Sequence, residues 1–135
     1  MYMLDSDTCI NCMRGKNLEV FNRIISLTPA NFKIPAIVLA ELWFGVAHSS
    51  SKEANASILE VFLHDFSIAP FDERCAKTYS KIREHLSKKG MLIGPNDMLI
   101  AATAIANDAT LVSCNIREFS RVPNLSIESW SVEGL

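Results

Sequence analysis

Three carboxylates, Asp5, Glu41 and Asp97, stand at positions where an acid needs a physical reason. Asp5 follows the short apolar run Tyr2–Leu4, which places it at the end of a predicted first strand. On a predicted helix, Glu41 has Ile37, Val38, Phe44 and Gly45 three and four residues away, on its own face. A carboxylate amid such neighbours costs stability unless a charge meets it, although a snorkelling or hydrogen-bonded glutamate at a sheet edge accounts for it equally well. Asp97 lies in the first turn of the apolar helix Met98-Leu99-Ile100-Ala101-Ala102-Thr103-Ala104-Ile105-Ala106. Acids are favoured near helix N-termini, but a helix so apolar is buried, and its one early acid is expected to face a rim. Acids brought together from such distant segments repel and raise one another's pKa unless a cation neutralises them. Mg²⁺ or Mn²⁺, hard ions with oxygen ligands, would do so, and such a site suits phosphodiester hydrolysis.

The elements that must position these acids alternate between strand and helix. Strands are predicted at Tyr2–Leu4, Phe32–Ile34, Phe66–Phe71 and Thr110–Ser113, with a short fifth at Leu125–Ile127. Helices are predicted over Thr8–Met13 and Leu18–Leu27, separated by the stop Arg14-Gly15-Lys16-Asn17. After the turn at Thr28–Asn31, Pro35 opens a helix to about His48, the first helical position being one that tolerates proline. Ser49-Ser50-Ser51 interrupts the pattern before a helix over Lys52–His64. Asp72 is placed to N-cap the next helix, which ends at Lys88-Lys89-Gly90, cations and then a C-terminal glycine. Gly94-Pro95 opens the last long helix, to about Asn107. This alternation predicts an α/β fold with a mainly parallel sheet covered on both faces. In such a sheet Asp5 and Cys114-Asn115 end their strands on the same rim, where ligands of open α/β sheets collect.

The chain is 135 residues, long enough for one domain over 1–135, with no internal repeat or linker. At 49% hydrophobic and 21% charged residues it has the material for a core, which excludes disorder, collagen and coiled coil. The net charge of −2 argues against a protein that holds nucleic acid by bulk charge, but leaves a local patch open. No apolar stretch approaches the roughly 18 residues of a membrane span, the N-terminus resembles no targeting segment, and Cys9, Cys12, Cys75 and Cys114 are too few for a disulfide scaffold. A cytoplasmic protein with reduced thiols is expected.

Four segments in order resemble the PIN-domain ribonucleases, in particular the toxin subunits of VapBC-type toxin–antitoxin pairs. They are Met3-Leu4-Asp5-Ser6-Asp7-Thr8, Ala40-Glu41-Leu42-Trp43-Phe44-Gly45, Ile93-Gly94-Pro95-Asn96-Asp97-Met98-Leu99-Ile100-Ala101 and Leu111-Val112-Ser113-Cys114-Asn115-Ile116-Arg117-Glu118-Phe119. The resemblance implies a three-layer α/β/α sandwich and a Mg²⁺- or Mn²⁺-dependent endoribonuclease. It also implies a homodimer, contacting through the helices between Pro35 and His64, and a cognate antitoxin. Asp5, Glu41 and Asp97 match the family's three acids as metal ligands and catalytic groups. Glu118 is the fourth, because Asn115 stands where many relatives carry Asp. Ser6, Asp7 and Asn115 are auxiliary; Asp7 replaces the family's usual Asn, so it either turns outward or strengthens the site's hold on metal. Thr103, where relatives often have His or Gln, is read as packing variation. By analogy the substrate is a structured RNA, transfer RNA being one candidate. The antitoxin would cover the rim, with an arginine among the acids mimicking the cation.

Other signals are weaker. Cys9-Ile10-Asn11-Cys12 is a CxxC without a second pair, which reads as packing on a helix rather than redox or zinc chemistry. His48, His64 and His85 do not cluster in sequence. Arg14, Lys16 and Arg117 lie near the rim motifs and are candidates for phosphate contacts. Two rival readings are a phospho-receiver domain, which would need Asp72 as acceptor and lacks the accompanying lysine, and a catalytically inactive PIN module that only binds RNA or protein. Setting aside Asp5, Glu41, Asp97 and Glu118 leaves 13 bases against 11 acids, so the rest of the chain carries a small positive charge.

Overall fold

The computed structural model describes residues 1–16 and 18–130. Asn17, the last residue of the predicted helix stop, lies outside the described residues, as do 131–135 of the expected domain. The elements run β1 (Tyr2–Leu4), α1 (Ser6–Met13), α2 (Leu18–Leu27), a 3₁₀ turn (Pro29–Asn31), β2 (Phe32–Pro35), α3 (Ala36–His48) and α4 (Lys52–Leu63). They continue with β3 (Ser67–Ala69), α5 (Glu73–Lys88), α6 (Pro95–Ala106), β4 (Thr110–Val112), α7 (Ile116–Phe119) and β5 (Ser126–Glu128). All described strand pairs are parallel, in the order β3-β2-β1-β4-β5. β1 is the centre, and the strand order reverses between β1 and β4. That reversal is the switch point at which ligands of open parallel sheets bind, outside the strands' carboxyl ends.

Strands of three or four residues suffice because the sheet is buried rather than long. Met3, Leu4, Ile34, Leu111 and Val112 are all buried, an apolar run on both faces as a covered parallel sheet requires. Helices flank the sheet: α6 packs against α5 and carries the buried run Met98, Ile100, Ala101, Ala102, Thr103 and Ala104. Thr103 has its hydroxyl satisfied by the Leu99 carbonyl at 2.8 Å, in keeping with a packing role. Away from the rim, Tyr2 stacks on Phe32, and Trp130 meets both rings edge-on while the Arg23 guanidinium lies 4.8 Å over its face.

Several predicted boundaries shift for local reasons. Pro35 is the last residue of β2, opposite Ala69, and caps α3 from an extended backbone instead of opening it. The third strand is only Ser67–Ala69, because Pro70 has no N–H to continue the ladder. α1 begins at Ser6 rather than Thr8, since Asp5 caps it directly by accepting from the Ser6 N–H. Asp72 caps α5 by accepting from the Cys75 N–H at 3.1 Å, and Gly90 beyond its end adopts a φ of 63°.

Candidate active site

Each candidate acid is delivered by a different element to the carboxyl-end rim. Asp5 leaves the end of β1, its N–H bonded to the Val112 carbonyl of β4 at 3.0 Å. Its side chain is 6% exposed. One carboxylate oxygen, Oδ1, accepts from the Ser6 N–H at 2.7 Å, and Oδ2 accepts from the Ser113 hydroxyl at 2.7 Å. Burial pushes the Asp5 carboxyl up from its ordinary value; the bonds from Ser113 and Ser6 oppose the rise, and the charges of Asp7 and Glu41 add to it.

Glu41 comes from the middle of α3, and its Oε1 accepts from the Ser6 hydroxyl at 2.5 Å. Its helical neighbours divide: Val38 is buried and Ile37 half-buried, but Gly45 is exposed and Phe44 is 68% exposed. The expected apolar face thus ends at Glu41, which stands half-buried at its margin.

Asp97, also half-buried, projects from the first turn of α6 above the buried Ile93, Ile100 and Ala101. Its carboxyl is raised to about 7, first by burial, then by the charge of Asp5, a hydrogen bond shared with Glu118, and the charges of Glu118 and Glu41. Glu118, on α7, accepts from the Asn115 side-chain amide at 3.2 Å. Asp97 therefore feels all three of the other acids.

Among the described residues, no three His, Cys, Asp or Glu side chains are arranged around a single point in a manner that would enclose a metal ion. Asp5, Glu41 and Glu118 instead form a linked group through Ser6, Ser113 and Asn115, and Asp97 stands close enough to feel their charge. The donor chemistry nevertheless fits a hard divalent cation. Every group is a carboxylate oxygen, and the charges of Asp5, Glu118 and Glu41 add to burial in raising the Asp97 carboxyl.

The remaining candidates separate. Asp7 is exposed, on the first turn of α1. Arg14 is also exposed and lines a groove of about 350 Å³ with Glu41, Leu42, Gly45, Asn55 and Ile58. Lys16 and Arg117 are exposed, beyond the end of α1 and on α7 respectively. Cys9 is fully buried, and burial lifts its thiol well above the ordinary value; Cys12 is raised by burial as well. Neither suits thiolate chemistry. Ser113 was missed at the sequence level: a serine ending a strand is unremarked until the strand beside it is known.

The PIN domain family model matches residues 2–125. The chain belongs to the PIN-domain family. Among PIN proteins, it is 44% identical over 131 residues to Ribonuclease VapC2 of Rickettsia felis, covering 96% of this chain and 98% of that protein. It is 33% identical over 129 residues to the tRNA(fMet)-specific endonuclease VapC of Salmonella typhimurium, covering 96% and 97%. Its fold matches the crystal structure of VapBC2 from Rickettsia felis bound to a DNA fragment from their promoter. The TM-score is 0.90 at 41% identity, over 96% of this chain and 98% of that one. The expected PIN fold and family are borne out, and the expected nuclease activity agrees with the names of these full-length relatives. The phospho-receiver reading falls, Asp72 being occupied as a helix cap.

Proposed function

We propose that this protein is a divalent-metal-dependent endoribonuclease, the toxin of a toxin–antitoxin pair, working as one PIN domain in the cytoplasm. The observation that carries the reading is the gathering of four carboxylates at the switch point of the sheet, with the Asp97 carboxyl raised to about 7. Asp5, Asp97, Glu41 and Glu118 would hold Mg²⁺ or Mn²⁺. Such an ion, when bound, supplies an activated water and neutralises charge on the phosphate oxygens.

The chain's own residues do the positioning. Asp5 is fixed by two donors and presents its remaining lone pairs from a buried base. Glu41, oriented by Ser6, is placed to hold a water's proton. Asp7 lies outward and adds negative charge near Asp5. Arg14, Lys16 and Arg117 contact backbone phosphates, and the bases are presented from single-stranded loops. The transfer-RNA endonuclease name of the Salmonella relative supports transfer RNA as the substrate class.

The likeness to the solved VapBC structures of Rickettsia felis and Salmonella typhimurium supports a cognate antitoxin. A groove of about 400 Å³ lined by Phe21, Ile25, Val61 and Phe62 adjoins the Glu41 groove, with Met13 and Ile58 common to both. An apolar segment of the antitoxin would lie there and bring an arginine to the acids. The homodimer would use the surface of α3 and α4 outside that groove, where Trp43 and Phe44 are exposed.

Purified protein with RNA and Mg²⁺ or Mn²⁺ tests the activity. Cleavage is expected to cease in EDTA and to fall at least about 100-fold in Asp5→Asn. Cleavage that survives both changes overturns the metal–carboxylate reading.

A further inference from the structure

We infer that Ser113 is a positioning residue of this site, one buried hydroxyl that sets the Asp5 carboxylate and the turn carrying Asn115 and Glu118 in a single arrangement. This rests on the metal-dependent reading above. Ser113 is 1% exposed and follows directly on β4. Its backbone is held on the sheet, its N–H donating to the Glu128 carbonyl of β5 at 3.1 Å. A serine hydroxyl has one hydrogen to give and two lone pairs to receive with. The Asn115 N–H donates to Oγ at 2.9 Å, and the hydroxyl hydrogen goes to Asp5 Oδ2 at 2.7 Å. Asp5 and Ser113 are 108 residues apart in the chain, so this is more than a local serine turn.

The same turn carries the fourth acid. Asn115 precedes α7, and its side-chain amide donates to Glu118 Oε2. The chain of bonds from β1 therefore runs from Asp5 through Ser113 and Asn115 to Glu118. Without the hydroxyl, the Asn115 N–H and the oxygen Oδ2 of the buried Asp5 each lose a partner. Groups that orient metal-binding carboxylates change affinity about 10- to 100-fold when removed.

The test is Mn²⁺ binding, by calorimetry or by the electron-spin signal of free Mn²⁺, on the full chain. Ser113→Ala is expected to bind at least about 10-fold more weakly than wild type, and Ser113→Thr, which keeps the hydroxyl, close to wild type. With RNA, Ser113→Ala is expected to lower kcat with little change in KM. Should Ser113→Ala fail to fold, Ser113→Cys, with a weaker donor of similar size, is expected to fold and still lose affinity. Folded Ser113→Ala or Ser113→Cys that binds Mn²⁺ as tightly as wild type overturns the role of Ser113 alone. Wild type that binds no Mn²⁺ overturns the metal reading and this inference with it.

Discussion

Asp97 concentrates the electrostatic cost of the site, and its titration has a definite sign. With a native value of about 7 against an ordinary 3.8, the folded state holds a proton that the unfolded state has released between those values. Stability from this group therefore falls as pH rises from about 4 to about 7 and stays low above that. In EDTA, Asp97→Asn is expected to melt a few degrees above wild type at pH 8. The advantage should shrink as pH falls through 7 and vanish below about 4, as followed by circular dichroism. Mg²⁺ at pH 8 is expected to raise the Tm of wild type more than that of Asp97→Asn. Asp5, Glu41 and Asp97 were legible because an ionised group beside apolar neighbours is rare in sequence. Ser6 and Ser113 were not, because a hydroxyl becomes informative only when its partner, 35 or 108 residues away, is known.

At the scale of elements, the helices were legible from caps and periodicity. Asp72, the cations at Lys88 and Lys89, and Gly90 bound α5 where they were expected to. Gly90 sits at φ 63°, a conformation that costs a side chain energy. Gly90→Ala is expected to lower unfolding free energy by about 1 kcal/mol in urea titrations, with nuclease activity unchanged. Strand limits were less legible, because three-residue strands take their definition from neighbours rather than from propensity. Pro35 illustrates this: its suitability for a first helical turn is real, but the pairing with β3 claims it for the sheet. α7, four residues long, has no room for a helical period, and so the element carrying Glu118 went unseen.

For the whole molecule, the proposed function assigns catalysis and neutralisation to adjoining surfaces. The acids sit on the rim, whereas Phe21 on α2 and Val61 on α4 are 47% and 76% exposed along the neighbouring apolar groove. Phe21→Asp and Val61→Asp are expected to weaken neutralisation by the antitoxin at least about 10-fold, since each puts a charge where apolar area would be buried. RNA cleavage without antitoxin should be unchanged, and titrating activity with antitoxin reads both quantities. A loss of cleavage equal to the loss of neutralisation would show that the groove belongs to the substrate. The sheet order was less legible than its parallel character, since alternation of elements fixes direction but not which strand lies beside β1.

The central position of β1 has a consequence for synthesis. Its partner β4 is made more than a hundred residues later, and Asp97 and Glu118 belong to the same late portion of the chain. A growing polypeptide that has emerged only through α5 carries Asp5 and Glu41 but neither of the other acids, nor the hydroxyl of Ser113. On the proposed site, the set of acids is complete only once the last part of the chain, from α6 through α7, has been made.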